Sequence, residues 1–158
     1  WSSDVCSSDL KMPKSGHIEI FDRSWYGRVL VERVEGFASQ NEWQRASDEI
    51  NQFEKMWTDE GTIILKFFLC LDKDEQLKRF KDRENNPDKQ WKITEEDWRN
   101  REKWDEYLEA SHDMIESTNT SYAPWYIVPA DHKKTSRIEV LKTIIRKCEE
   151  VLWGVKTY

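Results

Sequence analysis

The sequence predicts an α/β fold with a parallel sheet, and two observations indicate this class. Short apolar runs rich in β-branched and aromatic residues recur at intervals that suit strands. Between them lie longer segments whose apolar residues recur every three or four positions, which is typical of amphipathic helices. Because strands that alternate with helices pair in parallel through right-handed crossovers, we expect helices to cover the sheet.

Three segments have the composition of strands. The first covers residues 17–21 and is predicted to be a short buried strand that ends at Asp22. The second, residues 62–69, is a continuous apolar run of the kind found in strands covered on both faces. The third covers residues 125–128, directly after Pro124. Ligands of such folds bind beyond the carboxyl ends of the strands, where the predicted segments are 22–23, 70–73 and 130–133.

The predicted helices alternate with these strands, over residues 24–34, 42–57, 75–83, 94–117 and 136–152. Two of them have a recognisable start. Asp72 precedes Glu75 by three positions, and Thr94 and Asp97 repeat this spacing, which is the arrangement that caps a helix N-terminus. The last helix carries apolar residues at positions 138, 141, 145, 148 and 152.

The composition excludes several functions. The chain has 158 residues, a formal net charge of −6 and a mean hydropathy of −0.90. Its apolar runs are far shorter than the about 18 residues of a membrane span, and its mild acidity does not suit a duplex-DNA binder. Neither a membrane nor nucleic acid is therefore an expected partner. Three cysteines without paired spacing indicate neither a disulfide framework nor a zinc site, and they favour a cytoplasmic location.

The first ten residues differ from all that follow. They have no helical or strand period, and they lack the basic and apolar regions of a signal peptide. They are identical to the translation of the 3′ end of a widely used sequencing adapter, TGG AGT TCA GAC GTG TGC TCT TCC GAT CT. We therefore expect residues 1–10 to be adapter-derived and to form no part of a domain.

The sharpest chemical signal is the pair Asp22-Arg23 at the end of the first predicted strand. An acid at such a position binds Mg²⁺ directly or through water, and the planar guanidinium of Arg23 suits phosphate oxygens. Arg28 and Arg33 add positive charge on the helix that follows. An alternative is that Asp22 only caps this helix and that the arginines pair with its glutamates.

A second concentration of positive charge surrounds a predicted loop at residues 84–93. A mobile loop with basic side chains could close over an anionic substrate and exclude water. The alternative is an ordinary solvated face, because acidic residues are interspersed. The basic residues of this region are Lys78, Arg79, Lys81, Arg83, Lys89, Lys92, Arg99, Arg101 and Lys103.

Four blocks of the sequence resemble the polyphosphate kinase 2 family. They are residues 22–34, 73–80, 91–93 and 123–131, and they occur in the family's order. Gly27 and residues 93–104 look most like the polyphosphate:AMP phosphotransferase branch, and the similarity covers about residues 14–147. The resemblance implies a three-layer α/β/α, P-loop kinase-like fold. It also implies Mg²⁺-dependent transfer of a terminal phosphoryl group between inorganic polyphosphate and AMP or ADP.

The resemblance further implies roles for individual residues. Asp22 would help to hold Mg²⁺ and Arg23 would grip the transferring phosphate, so both are candidate catalytic residues. Residues from about 81 to 98 would form a lid. The candidate polyphosphate contacts are Arg28, Arg33, Arg79, Arg83 and Lys92. The candidate nucleotide contacts, beyond the third predicted strand, are Asp131, His132 and Lys133.

One departure from the family pattern concerns the phosphate loop. None of the five glycines begins or ends a G-x-x-x-x-G-K motif, the loop that cradles phosphates in P-loop kinases. We therefore expect residues 11–153 to be a partial domain without the family's first strand and phosphate loop, followed by a tail at 154–158. Such a chain is predicted to be inactive alone, and the full-length enzyme is expected to be a homo-oligomer.

Two alternatives to a polyphosphate phosphotransferase stay open. Another P-loop nucleotide kinase, such as a thymidylate kinase-like protein, would also use an Asp-Arg pair after a strand. A non-catalytic module that binds polyphosphate or nucleotides without turnover would need the basic residues but no phosphate loop. These alternatives predict different upstream sequence and different activity, so they are experimentally separable.

Overall fold

The computed structural model describes residues 12–22 and 24–154. Two strands and six helices make up these parts of the chain, together with 3-10 turns at Trp25–Val29 and Gln90–Lys92. The strands are β1 (Lys66–Cys70) and β2 (Trp125–Pro129). The helices are α1 (Val31–Val34), α2 (Gln40–Asp59), α3 (Lys73–Glu84), α4 (Glu95–Glu102), α5 (Trp104–Thr118) and α6 (Lys133–Trp153).

The described residues divide into two compact units. The first contains the residues up to Thr62 together with Arg99–Tyr122, so it holds α1, α2 and α5. The second contains Ile63–Trp98 together with the residues from Ala123 onward, so it holds both strands, α3 and α6. The sequence boundary between the two units, after Trp98, falls within helix α4.

The core of the first unit consists of α2, α5 and the turn at Trp25–Val29. Ala46 and Ile50 are buried on α2, and Ala110 and Met114 are buried on α5. These are the inward positions of two amphipathic helices, so burial of the apolar stripe accounts for their packing. The helix predicted over residues 42–57 is confirmed, and α2 extends it at both ends.

Two predicted helices differ in the structure. Residues 24–34 form the 3-10 turn and the short α1 instead of one helix. The helix predicted over residues 94–117 starts as expected, with the Thr94 amide donating to Asp97 Oδ2 at 2.9 Å, but it is interrupted at Lys103. There the backbone leaves the helical conformation (φ −88°, ψ 24°), and the Lys103 ammonium donates to the Val34 carbonyl oxygen at 3.3 Å.

The second unit is built on a two-stranded parallel sheet. β1 and β2 pair in register from Lys66 opposite Trp125 to Cys70 opposite Pro129. This confirms the α/β class and the parallel pairing, whereas the three-layer arrangement stays a prediction. The predicted cap at Asp72 is confirmed, because its carboxylate accepts a hydrogen bond from the Asp74 amide at 2.8 Å, and α3 begins at Lys73, two residues before the predicted start at residue 75.

The prediction of a buried strand over residues 17–21 is wrong. These residues form no strand, and Ile18 and Ile20 are 82% and 84% exposed. A strand forms only where a neighbour exchanges backbone hydrogen bonds with it, and no strand of the described residues pairs with this segment. Its apolar composition therefore indicated strand propensity without supplying the partner that a strand needs.

The predicted coverage of both faces is also wrong for the second strand. β1 begins at Lys66 instead of residue 62, and Leu69 is 57% exposed. Helix α6 is confirmed, but its apolar residues at positions 138, 141, 145 and 152 are more than half exposed. Among residues 12–22 and 24–154, no helix combines the length and apolar character that a membrane crossing requires.

Candidate functional site

Asp22 lies in the first unit, between residues 17–21, which form no strand, and the turn at Trp25–Val29. Its side chain is exposed, so its carboxylate can take a ligand from solvent. Arg23, the second candidate catalytic residue, lies outside the described residues. The structure therefore shows that Asp22, the predicted Mg²⁺-binding carboxylate, is accessible to solvent. The catalytic role of Asp22 and Arg23 stays a prediction.

A buried carboxylate holds the residues that follow Asp22. Glu54 of α2 has no exposed surface, and its Oε1 accepts hydrogen bonds from the Tyr26 hydroxyl and from Trp25 Nε1, the latter at 3.3 Å. Burial raises the pKa of Tyr26 above its ordinary value, and the adjacent Glu54 carboxylate raises it further. Tyr26 is therefore a neutral hydrogen-bond donor throughout the ordinary pH range.

Aromatic contacts extend this anchor to the residue before Asp22. The Phe21 ring meets the Trp25 ring edge-on with 5.5 Å between centroids, and Trp25 meets Phe53 of α2 at 5.1 Å. Anchored aromatic residues thus flank the acid on both sides along the chain. Sequence reasoning missed Glu54, although a glutamate on the apolar face of an amphipathic helix is a visible signal.

Arg28 and Arg33, the candidate polyphosphate contacts of the first unit, both contact acids. Arg28 Nε lies 2.6 Å from Glu32 Oε2, which is the pairing that the alternative interpretation anticipated. Arg33 Nη1 donates to Asp113 Oδ2 at 2.7 Å, and its guanidinium lies 4.1 Å from the centre of the Trp43 ring. The side chain of Arg33 is 16% exposed and that of Arg28 is 28% exposed. A polyphosphate contact stays a prediction for both, and Arg28 is the more accessible.

The loops at the carboxyl ends of β1 and β2 lie together in the second unit. The Ala130 amide donates to the Cys70 carbonyl oxygen at 2.7 Å, and the Asp72 amide donates to Asp131 Oδ1 at 3.2 Å. The predicted meeting of residues 70–73 with residues 130–133 is therefore present. Asp131, a candidate nucleotide contact, uses a carboxylate oxygen to join the two loops.

Helix α6 begins at this edge with a basic first turn. His132 occupies the N-cap position without a side-chain capping hydrogen bond, and the first turn contains Lys133 and Lys134 but no acid. Backbone amides at a helix N-terminus and the helix dipole favour anions. The three candidate nucleotide contacts, Asp131 to Lys133, thus lie together where an anionic group would be stabilised.

The other candidate polyphosphate contacts lie on α3 and in the following loop. Arg79 points into the protein, where its Nη2 donates to the Ala130 and Asp131 carbonyl oxygens at 2.8 and 2.7 Å. Arg83 is partly exposed and Lys92 is exposed, so both reach solvent. Of the three, Arg83 and Lys92 are therefore the ones that can approach an external phosphate chain.

The predicted lid at residues 81–98 has internal structure. The Gln90 side-chain amide donates to the Glu84 carbonyl oxygen at 2.7 Å, which closes the loop after α3. The Trp98 ring packs edge-on against Phe80 of α3 with 5.1 Å between centroids. These contacts hold the loop to α3 at both ends, and closure over a substrate stays a prediction.

A family model described as polyphosphate kinase 2 matches residues 9–152 of this chain. A polyphosphate:AMP phosphotransferase from Acinetobacter johnsonii is 60% identical over 134 residues, which cover 85% of this chain and 28% of that protein. The Pseudomonas aeruginosa protein of the same name is 53% identical over 133 residues, which cover 84% of this chain and 27% of that protein. The chain therefore spans about 28% of the length of these relatives.

Solved structures agree with these matches. A crystal structure from Pseudomonas aeruginosa, assigned as a polyphosphate kinase 2, superposes with a TM-score of 0.88 at 50% identity and covers 93% of this chain and 32% of that chain. A polyphosphate kinase 2 from Arthrobacter aurescens gives a TM-score of 0.86 at 39% identity, over 89% of this chain and 50% of that chain.

Proposed function

Because the chain belongs to the polyphosphate kinase 2 family, we propose that it supplies metal- and phosphate-binding residues to a polyphosphate:AMP phosphotransferase. The reaction would move a terminal phosphoryl group between inorganic polyphosphate and AMP or ADP. Relatives at 60% and 53% identity bear that name, which supports AMP as the acceptor. The observation that carries the proposal is the exposed Asp22 carboxylate, flanked by anchored aromatic residues.

Asp22 would hold Mg²⁺. This ion is usually bound through one or two protein carboxylates, with water and substrate phosphates as its other ligands, so a single exposed carboxylate fits it. When bound, it would neutralise charge on the phosphate oxygens. This chain itself would fix the carboxylate through the contact between the Phe21 and Trp25 rings, which flank Asp22 along the chain, and through the hydrogen bond from Trp25 to Glu54.

The basic residues would bind the phosphate chain. Phosphoryl transfer depends mainly on positioning the substrates and on neutralising the charge of the phosphate oxygens, so arginine and lysine side chains are expected at the site. We propose Arg23 and Arg28 for this role in the first unit, and Arg83 and Lys92 in the second. The start of α6 at Lys133 would bind an anionic group of the nucleotide.

The 158 residues alone would bind these ligands without transferring phosphate. The sequence has no G-x-x-x-x-G-K motif, so it lacks the backbone cradle that P-loop kinases use. Sustained ADP formation from polyphosphate and AMP by this chain alone would contradict this part of the proposal.

A chimera tests the proposed function. The matched segment of the Acinetobacter johnsonii protein is replaced by the corresponding segment of this chain, and ADP formation from polyphosphate and AMP is measured. We expect the chimera to be active and Asp22→Asn to lower its rate by at least about 100-fold, because a metal-binding carboxylate is lost. Asp48→Asn, which alters an exposed acid of α2, is the matched control and should leave the rate unchanged.

The same chimera decides between this function and a non-catalytic binding module. A chimera that folds and binds polyphosphate but makes no ADP would favour the module. Activity that survives Asp22→Asn would show that Asp22 does not hold the metal, and would refute the assignment of the site.

A further inference from the structure

We propose that Arg79 is a positioning residue that fixes the turn between β2 and α6, and that it does not contact polyphosphate. The positioning role stands on geometry alone. Its consequence for ligand binding rests on the proposed function, because that function places an anionic group of the nucleotide at the start of α6.

The guanidinium of Arg79 joins helix α3 to the turn. Its Nη2 donates to the carbonyl oxygens of Ala130 and Asp131 at 2.8 and 2.7 Å, and its Nε donates to Glu75 Oε1 at 2.9 Å. The side chain is only 17% exposed. Two of the three guanidinium nitrogens, Nε and Nη2, thus donate to protein oxygens, which leaves little of the group for a ligand.

These two carbonyl contacts set the direction of the backbone that leads into α6. In a trans peptide the N–H points opposite to the C=O of the same plane, and the described residues contain no cis peptide. With the Ala130 and Asp131 carbonyl groups turned toward Arg79, the amides of Asp131 and His132 point away from it. Arg79 therefore orients successive backbone donors just before the basic first turn of the helix.

The turn is also held from the side of the sheet. The Ala130 amide donates to the Cys70 carbonyl oxygen, and Asp131 Oδ1 accepts from the Asp72 amide. Those contacts restrain the turn relative to β1, and Arg79 restrains it relative to α3. Loss of the Arg79 contacts would free one side of the turn while the strand pairing stays intact.

Arginine and lysine differ at such a place. A lysine keeps the positive charge, but it has no planar fork and cannot reach a carboxylate and two carbonyl groups in the same geometry. If Arg79 bound polyphosphate mainly through its charge, Arg79→Lys would leave the structure of the turn almost unchanged. If it positions the turn, Arg79→Lys removes the role while the net charge is unchanged.

Amide hydrogen exchange of the 158-residue chain tests the positioning role without any ligand. We expect Arg79→Lys to speed exchange by at least about tenfold at the first hydrogen-bonded amides of α6, beginning with Ser136, which donates to the His132 carbonyl oxygen. Local opening of the turn would expose these amides, while the amides of α2 are unaffected. Arg83→Lys, one turn further along α3, is the matched control and should leave this exchange unchanged. Exchange at these first hydrogen-bonded amides of α6 equal to that of the wild type would overturn the proposal.

A second variant guards against a general loss of folding. Glu75→Gln leaves Arg79 in place but weakens its anchor on α3, and it should speed exchange at the same amides to a smaller extent. Far-UV circular dichroism verifies that each variant is folded. If Arg79→Lys does not fold, Glu75→Gln decides the matter by the same measurement.

Ligand binding separates the two possible roles of Arg79. We expect Arg79→Lys to weaken binding of ADP by about tenfold and to change polyphosphate binding less than about twofold. Weaker polyphosphate binding with unchanged exchange would instead make Arg79 a ligand contact and overturn the proposal. Failure of the wild-type chain to bind either ligand would contradict the proposed function, and the exchange data would still decide the positioning role.

Discussion

Tyr26 donates its hydroxyl hydrogen bond to Glu54, which lies 28 residues further along the chain and is fully buried on α2. Trp25 Nε1 donates to the same carboxylate oxygen. A buried carboxylate is costly unless hydrogen bonds replace its hydration. The hydrogen bonds from Trp25 and Tyr26 to Glu54 therefore hold the segment after Asp22 to α2, in addition to apolar burial.

Tyr26→Phe should change the pH dependence of stability. The pKa of Tyr26 is raised above its ordinary value of 10.0, so its contribution is fully present below about pH 10 and is lost as the pH rises further, where the unfolded chain ionises first. Above that pH, the free energy of unfolding of the wild type should fall more steeply than that of Tyr26→Phe, by up to about 1.4 kcal/mol per pH unit. Urea unfolding from about pH 9 to about pH 11 measures both slopes.

At neutral pH the same variant should be less stable, by about 1–3 kcal/mol, because Glu54 loses a donor while it stays buried. Tyr122→Phe is the matched control, since its hydroxyl donates to the partly buried Asn51 carbonyl oxygen at 3.0 Å. Equal pH slopes for the wild type and Tyr26→Phe would contradict the assignment of a raised pKa to Tyr26.

Arg33→Ala should destabilise the first unit by about 1–2 kcal/mol, because it removes a partly buried ion pair with Asp113 and the stacking on Trp43. Arg45→Ala should be close to neutral, since the Arg45–Glu49 pair is exposed on α2. Thermal unfolding of both variants tests the difference. Equal stability of the two variants would show that the contacts of Arg33 with Asp113 and Trp43 add nothing to the stability of the first unit, and would contradict this prediction.

Asp72→Ala should destabilise the second unit by about 1 kcal/mol, because α3 loses its N-cap. Asp74→Ala is the matched control, because it removes a neighbouring acid without removing the cap. Urea unfolding monitored by circular dichroism measures both changes. A larger loss for Asp74→Ala than for Asp72→Ala would contradict the capping role.

Local signals made most helices predictable from the sequence. Helix α2 follows from the spacing of its apolar residues, and α3 follows from Asp72 at its start, because both signals act within a few residues. The strand predicted over residues 17–21 failed because strand formation depends on a distant partner. At the break between α4 and α5, the Lys103 ammonium contacts the Val34 carbonyl oxygen, and no local pattern indicates a contact between residues so far apart in the sequence.

The candidate site was predictable in its residue types but not in its contacts. The meeting of the two loops follows from where β1 and β2 end. Asp22 was identified by its residue type beside Arg23, and no strand of the described residues ends there. The orientation of an arginine side chain cannot be predicted in this way. Arg33 and Arg79 could point to solvent, but they donate to oxygens of other elements, which local sequence does not indicate. Glu54 was visible as a glutamate on the apolar face of α2, but its hydrogen-bond partners lie on a turn far away in the sequence, so its contacts were not predictable.

The most direct test of the central claim is calorimetric titration of polyphosphate into the 158-residue chain, with and without Mg²⁺. We predict saturable binding that Mg²⁺ strengthens, and loss of this Mg²⁺ effect in Asp22→Asn with at least about tenfold weaker binding. Absence of binding, or Mg²⁺-dependent binding that Asp22→Asn leaves unchanged, would contradict the assignment of Asp22 as the metal-holding acid of a polyphosphate site.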